Sequence, residues 1–177
     1  HQEIEVLDIQ SENPAIQRRA VKLDHRWRNA LQSLPVADNM NEYILQKFVA
    51  LNARLFFENK YPFIYGWELP LDPRNTSQGS CDLVLWDGDR AVIVVEIKYF
   101  NSNSGKQACT KRNQKRNKVR DQATQNARIF ANLHPEMNVE YTSITNEDLR
   151  TGPYRELRVQ YEKFAAVAWK NWSSSYQ

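Results

Sequence analysis

Apolar residues Ile16, Ala20, Leu23, Trp27, Leu31 and Leu34 recur every three to four positions, the period of a helix with one apolar stripe. Asn13-Pro14 supplies a cap followed by a first-turn proline, and Pro35 closes the segment, which predicts a helix over about 13–34. A second helical pattern runs from Met40 to Asn59, with Ile44, Leu45, Phe48, Val49, Leu51, Leu55 and Phe56 covering a wide face. The period then changes. Tyr61–Leu69 is aromatic and β-branched and reads as a strand, and 72–80 (DPRNTSQGS) is turn chemistry throughout. Cys81–Trp86 and Ala91–Phe100 are two further strands joined through Asp87-Gly88-Asp89. The second of these is apolar at nearly every position up to Glu96, so both its faces should be covered. A polar loop leads into a long helix over about 110–133, striped by Val119, Ala123, Ala127, Phe130 and Leu133 and stopped by Pro135. Val139–Ile144 reads as a strand, Leu157–Lys163 is ambiguous, and Phe164–Trp169 (FAAVAW) reads as a short buried strand.

This order predicts an α/β chain. At 177 residues it has the size of one domain, and its Gly and Pro counts of 5 and 7 exclude fibrous and low-complexity classes. No apolar run is long enough to cross a membrane, so no membrane partner is expected. His1–Glu5 shows no charged and apolar leader, which points to an intracellular protein of cytoplasm or nucleus. Two cysteines and three scattered histidines give neither a disulfide framework nor zinc spacing.

Charge changes the picture more than composition does. The net charge is only +3, yet between Lys106 and Arg128 eight Lys and Arg stand against the single Asp121. The remainder of the chain is therefore about −4. A local surplus of this kind suits a polyanion on one face, or a merely solvated helix.

The candidate chemistry lies in the hairpin. Glu96 and Lys98, two apart on a strand, share a face. If the turn is a three-residue loop, Asp82 lies opposite Glu96; a two-residue loop would set it opposite Val95, on the other face. Two opposed carboxylates repel, and unpaired charge beside an apolar sheet is costly. A bound Mg²⁺ or Mn²⁺ would relieve both, taking oxygen ligands from Asp82, Glu96 and the main-chain carbonyl of Ile97. Water on such an ion is acidified, and Lys98 on the same face could orient it or stabilise charge on a phosphate. The chain contains no P-loop, dinucleotide fingerprint or serine elbow.

An acid on one strand followed by Glu-x-Lys on the next, here Gly79-Ser80-Cys81-Asp82 and Val95-Glu96-Ile97-Lys98, resembles the PD-(D/E)XK nuclease superfamily. Cys81 replaces the family's proline. The resemblance implies a restriction-endonuclease-like α-β-β-β-α-β core, a mixed central sheet flanked by helices, with an extra N-terminal helix. Residues 1–38 would form a helical arm packed on the core, and 39–177 the nuclease-like domain. It implies a metal-dependent nuclease cutting DNA or RNA, with Asp82 and Glu96 on the metal and Lys98 assisting catalysis. A further carboxylate from the helix before the first strand would be Glu42, with Glu58 and Glu68 as alternatives. A supporting Gln on the following helix would be Gln122, with Gln125 as competitor. Lys106, Lys111, Arg112, Lys115, Arg116 and Lys118 would contact phosphates, and Trp67, Trp86, Tyr99 or Phe100 could stack on bases. A homodimer or a larger host protein stays open as partner. A catalytically idle nucleic-acid-binding module on the same fold, or a protein-interaction domain, stand as alternative functions.

Overall fold

The computed structural model describes residues 13–33, 39–101 and 106–174, without the side chains of 76, 106–109 and 173–174. The proposed stop at Pro35 lies outside the described residues. The chain is α/β, with a four-stranded mixed sheet flanked by helices. Helix α1 (Pro14–Gln32) starts where expected, with Asn13 Oδ1 accepting from the N–H of Ala15 at 3.0 Å. It packs on the first strand. Trp27 Nε1 donates to the Tyr65 carbonyl at 3.0 Å, and Asp24 Oδ1 accepts from the N–H of Ile64 at 2.9 Å.

The expected second helix is shorter. Helix α2 (Met40–Leu51) gives way at Asn52 to a single turn, α3 (Ala53–Phe56). The Asn52 amide Nδ2 donates to the Phe48 carbonyl at 2.8 Å, so its side chain competes with the helical ladder. Glu58 and Asn59 then adopt left-handed φ of 52° and 63°, which ends the helical run.

The strands are β1 (Phe63–Pro70), β2 (Ser80–Trp86), β3 (Ala91–Lys98) and β4 (Asn138–Thr145), in spatial order β1-β2-β3-β4. The first three pair antiparallel and β4 joins β3 in parallel. The parallel pair requires a crossover, supplied by α4 (Lys106–Leu133). Strand β3 is central and buried on both faces. It stops two residues earlier than expected because Asn146 takes over the pairing. Its Oδ1 accepts from the N–H of Phe100 at 2.7 Å, and its Nδ2 donates to the Phe100 carbonyl at 2.9 Å.

Two apolar layers follow from strand alternation. Leu83, Leu85, Ile93, Val95 and Ile97 face Leu45, Phe48 and Val49 of α2. Val84, Trp86, Val92 and Val94 face Ala20 of α1 and Ala127 and Phe130 of α4. A capping box of Thr145 and Asp148 opens the short α5 (Asn146–Arg150) directly after β4.

The C-terminal segment corrects the sequence reading. Residues 164–169, expected as a strand, lie inside helix α6 (Arg158–Ser174), as does most of 157–163. Six apolar residues in a row fit a buried strand or a helix equally well, and packing decides. Tyr161 and Phe164, three apart and thus on one helical face, both meet the ring of Phe48, at 5.3 and 5.4 Å between centroids. Among the described residues no helix is long and apolar enough to cross a membrane.

Candidate functional site

The hairpin fixes the site. Asp87 Oδ1 accepts from the N–H groups of Asp89 (2.7 Å) and Ala91 (3.1 Å), while Asp87 N–H donates to the Ala91 carbonyl at 3.0 Å. That closes a loop of three residues, with Gly88 at φ 96°, a conformation disfavoured for residues with a Cβ. The resulting register pairs Trp86 with Val92 and Leu83 with Val95. Continued by one step it sets Asp82 opposite Glu96, the register that a three-residue loop demands. Because Asp87 and Ala91 exchange a ladder bond, this next pair falls in the narrow, non-bonded class, where side chains come closest.

The two carboxyl groups are hydrogen-bonded to each other. Asp82 Oδ2 also accepts from the N–H of Ile97 at 2.8 Å, and Glu96 Oε1 from Asn126 Nδ2 at 2.6 Å. Glu96 is only 2% exposed. Burial, then the neighbouring charge of Asp82 and their shared bond, push its carboxyl up to about 9; the Asn126 amide opposes this. Asp82 is raised too, first by burial and also by the charges of Glu42 and Glu68, against its bonds from Glu96 and Ile97. Both carboxyls are thus shifted toward their protonated forms, Glu96 through its burial against the charge of Asp82.

Glu42, in the first turn of α2, reaches the end of β3. Its Oε1 lies 3.1 Å from Lys98 Nζ and accepts from the N–H of Tyr99 at 3.3 Å. Glu68 sits on β1 at φ 46°, a strained value for a residue with a side chain. Beyond burial, its charge raises both Asp82 and the Tyr43 hydroxyl. Glu58 occupies the left-handed turn after α3. Of the three helix-side acids, Glu42 is thus the one that meets Lys98. Ile97 gives its N–H to Asp82 and is paired with Ile144 of β4.

Gln122 and Gln125 both lie on the exposed side of α4. The helix residue bonded to Glu96 is Asn126, 7% exposed, which the sequence reading missed. The signal was present: Asn126 lies three residues after Ala123 and four before Phe130, on the stripe that faces the sheet.

The basic helix divides in two. Lys111, Lys115 and Lys118 are exposed along one face. Arg112 and Arg116 turn to the nearly buried Glu147 of α5, Arg112 Nη1 at 3.7 Å from its Oε1 and Arg116 in a closer ion pair. The side chain of Lys106 lies outside the described residues. With 28 residues α4 is about 42 Å long, whereas the eight residues of β3 span about 26 Å. Since Asn126 is level with Glu96, the N-terminal half of α4 overhangs the strand end that carries Lys98. Of the suggested stacking residues, Trp86 and Phe100 are core, and Trp67 Nε1 is bonded to Gln46 Oε1 at 2.7 Å. Tyr99 is half-buried beside Glu42.

Among the described residues no three His, Cys, Asp or Glu side chains form a ready-made cage for an ion. The acids stand as one hydrogen-bonded pair plus Glu42, which is turned to Lys98. The donor set is nonetheless all carboxylate oxygen, which suits a hard divalent cation, and such an ion would take the place of a proton between them. Comparison with family models, with curated proteins and with solved structures finds no match.

Proposed function

We propose that the chain is a divalent-cation-dependent nuclease, built on a restriction-endonuclease-like core and hydrolysing phosphodiester bonds of DNA or RNA. The observation that carries this is the opposed Asp82–Glu96 carboxyl pair, held by the Ile97 N–H and the Asn126 amide, with Lys98 two residues further on the same strand. Opposed buried carboxylates destabilise a fold, so their presence at a strand end is best understood through a ligand that needs them. Mg²⁺ or Mn²⁺ bound between Asp82 and Glu96 would supply a Lewis acid that acidifies water and polarises a phosphoryl oxygen.

The chain's own groups do the rest. Asn126 holds the Glu96 carboxyl in place through Oε1, and the N–H of Ile97 does the same for Asp82. Lys98, its side chain 47% exposed and its Nζ anchored on one side by Glu42, keeps donors for a phosphate oxygen or for the attacking water. Lys111, Lys115 and Lys118 lie on the overhanging helix, where phosphate contacts would draw a nucleic acid across the strand end.

The test is cleavage of labelled single- and double-stranded DNA and RNA in Mg²⁺, in Mn²⁺ and in EDTA. Glu96→Gln and Lys98→Ala run alongside. Metal-dependent cutting lost in both variants is the expected result. Absence of cutting of all four substrates by the wild-type chain in either metal would overturn the proposal.

A further inference from the structure

A cavity of about 180 Å³ opens beside Lys98, at the start of α2. It is lined by Asn39, Asn41, Asn101, Tyr99 and Trp169 together with the Glu42–Lys98 ion pair. We infer that this cavity seats one unstacked nucleobase of a single-stranded nucleic acid, next to the scissile bond. The inference rests on the nuclease reading and deepens it.

Size comes first. Sites for drug-sized molecules run to about 300–1,000 Å³, so this one takes a single small ring system and has no room for a base pair. Polarity narrows the ligand. Asn41 Oδ1 already accepts from Trp169 Nε1 at 2.9 Å, so the amide nitrogen is what Asn41 has to offer, a donor. Asn39 Nδ2 already donates to Glu42 Oε2 at 3.2 Å, which leaves its Oδ1 as an acceptor. A donor and an acceptor two residues apart match the mixed edge of a nucleobase. Tyr99 and Trp169 bring aromatic rings to the lining, Trp169 already set edge-to-face on Trp172 at 5.1 Å between centroids, and aromatic stacking accepts any base. In a duplex, a base has its edge paired and its faces stacked, so only an unpaired base can enter.

The test measures binding in EDTA, where nothing is cut. Anisotropy of labelled single-stranded hexanucleotides is compared for the intact strand, for strands with one abasic position moved along it, and for the duplex. One abasic position should lower affinity about fivefold or more, and the other positions should not. Asn101→Ala and Trp169→Ala should lose the same factor on the intact strand and nothing further on the sensitive abasic strand. Trp169→Phe should retain most of the affinity. Asn101 is exposed, so its variant is informative even if Trp169→Ala does not fold. Equal loss at every abasic position would overturn the inference, as would a Trp169→Phe as damaging as Trp169→Ala, or a duplex bound as tightly as the single strand. A duplex that is cut while the hexanucleotides show no position-specific loss sinks the pocket and keeps the nuclease. The position-specific loss with no cutting of any substrate keeps the pocket and sinks the nuclease.

Discussion

Replacing Glu96 by Gln should make this protein more stable at neutral pH, although Glu96 is 2% exposed and buried substitutions usually destabilise. In the folded chain the Glu96 carboxyl titrates near 9, against 4.5 when unperturbed. Below 4.5 both folded and unfolded chains are protonated there, and the contribution to stability is complete. As pH rises through 4.5 the unfolded chain ionises while the folded chain keeps its proton. Stability is then lost at about 1.4 kcal/mol per pH unit until the folded value near 9 is passed. By pH 7 the loss from this group is on the order of 3 kcal/mol.

Gln has the shape of protonated Glu. Its Oε1 can still accept from Asn126, and its Nε2 can donate to an Asp82 oxygen, so both hydrogen bonds survive while the titration of this group disappears. Urea unfolding of the two proteins at pH 5, 6, 7 and 8 reads the difference directly. The variant should gain little at pH 5 and progressively more toward pH 8. At pH 7 a gain of about 3 kcal/mol corresponds to roughly 6–12 °C in Tm for a chain of this size. Added Mg²⁺ should raise the Tm of the wild type and leave Glu96→Gln unmoved, because only the former has a second carboxylate to offer. A variant that is destabilised at pH 8, or that shows the wild-type pH slope, would refute the account of a buried carboxyl held in its protonated form.

Three other variants probe the neighbouring groups. Asn126→Asp places a third carboxyl beside the pair, and should cost about 3 kcal/mol or more at pH 8 by urea unfolding, relieved at pH 5. The triple change of Lys111, Lys115 and Lys118 to Gln should leave stability within about 0.5 kcal/mol. In anisotropy titrations against salt it should lower the slope of log affinity by about 2 to 3. Arg116→Ala strips a partner from Glu147, 8% exposed, and should cost about 3 kcal/mol; adding Glu147→Gln should restore most of it.

The hairpin was legible because its constraints are short-range. Alternation places Glu96 and Lys98 on one face, and the loop length around Gly88 alone decides whether Asp82 joins them. Asn126 was legible in position, on the buried stripe with Ala123 and Phe130, whereas Gln122 lies one residue off that stripe and is exposed. The pairing of Arg112 and Arg116 with Glu147 was not legible at all. The charge count over 106–128 is a local sum, and the partner acid enters from α5, beyond the next strand. Helix α6 failed for a related reason. An apolar hexapeptide carries no period of its own, and the Phe48 ring that sorts Tyr161 and Phe164 onto one helical face lies more than a hundred residues away.

The departures from local rules converge on one end of the sheet. Asp82 and Glu96 oppose like groups across a narrow pair, Glu68 keeps a left-handed φ of 46° within reach of Asp82's charge, and the β2–β3 ladder ends in a side-chain bond to Ile97. Elsewhere β3 is an ordinary central strand of Val and Ile. A fold built for stability alone would carry an apolar or amide side chain at Glu96, and would gain on the order of 3 kcal/mol at pH 7 by it. The carboxyl group stands at that cost beside a lysine and on the face covered by a basic helix, and this juxtaposition is what the proposed nuclease site would explain and packing alone does not.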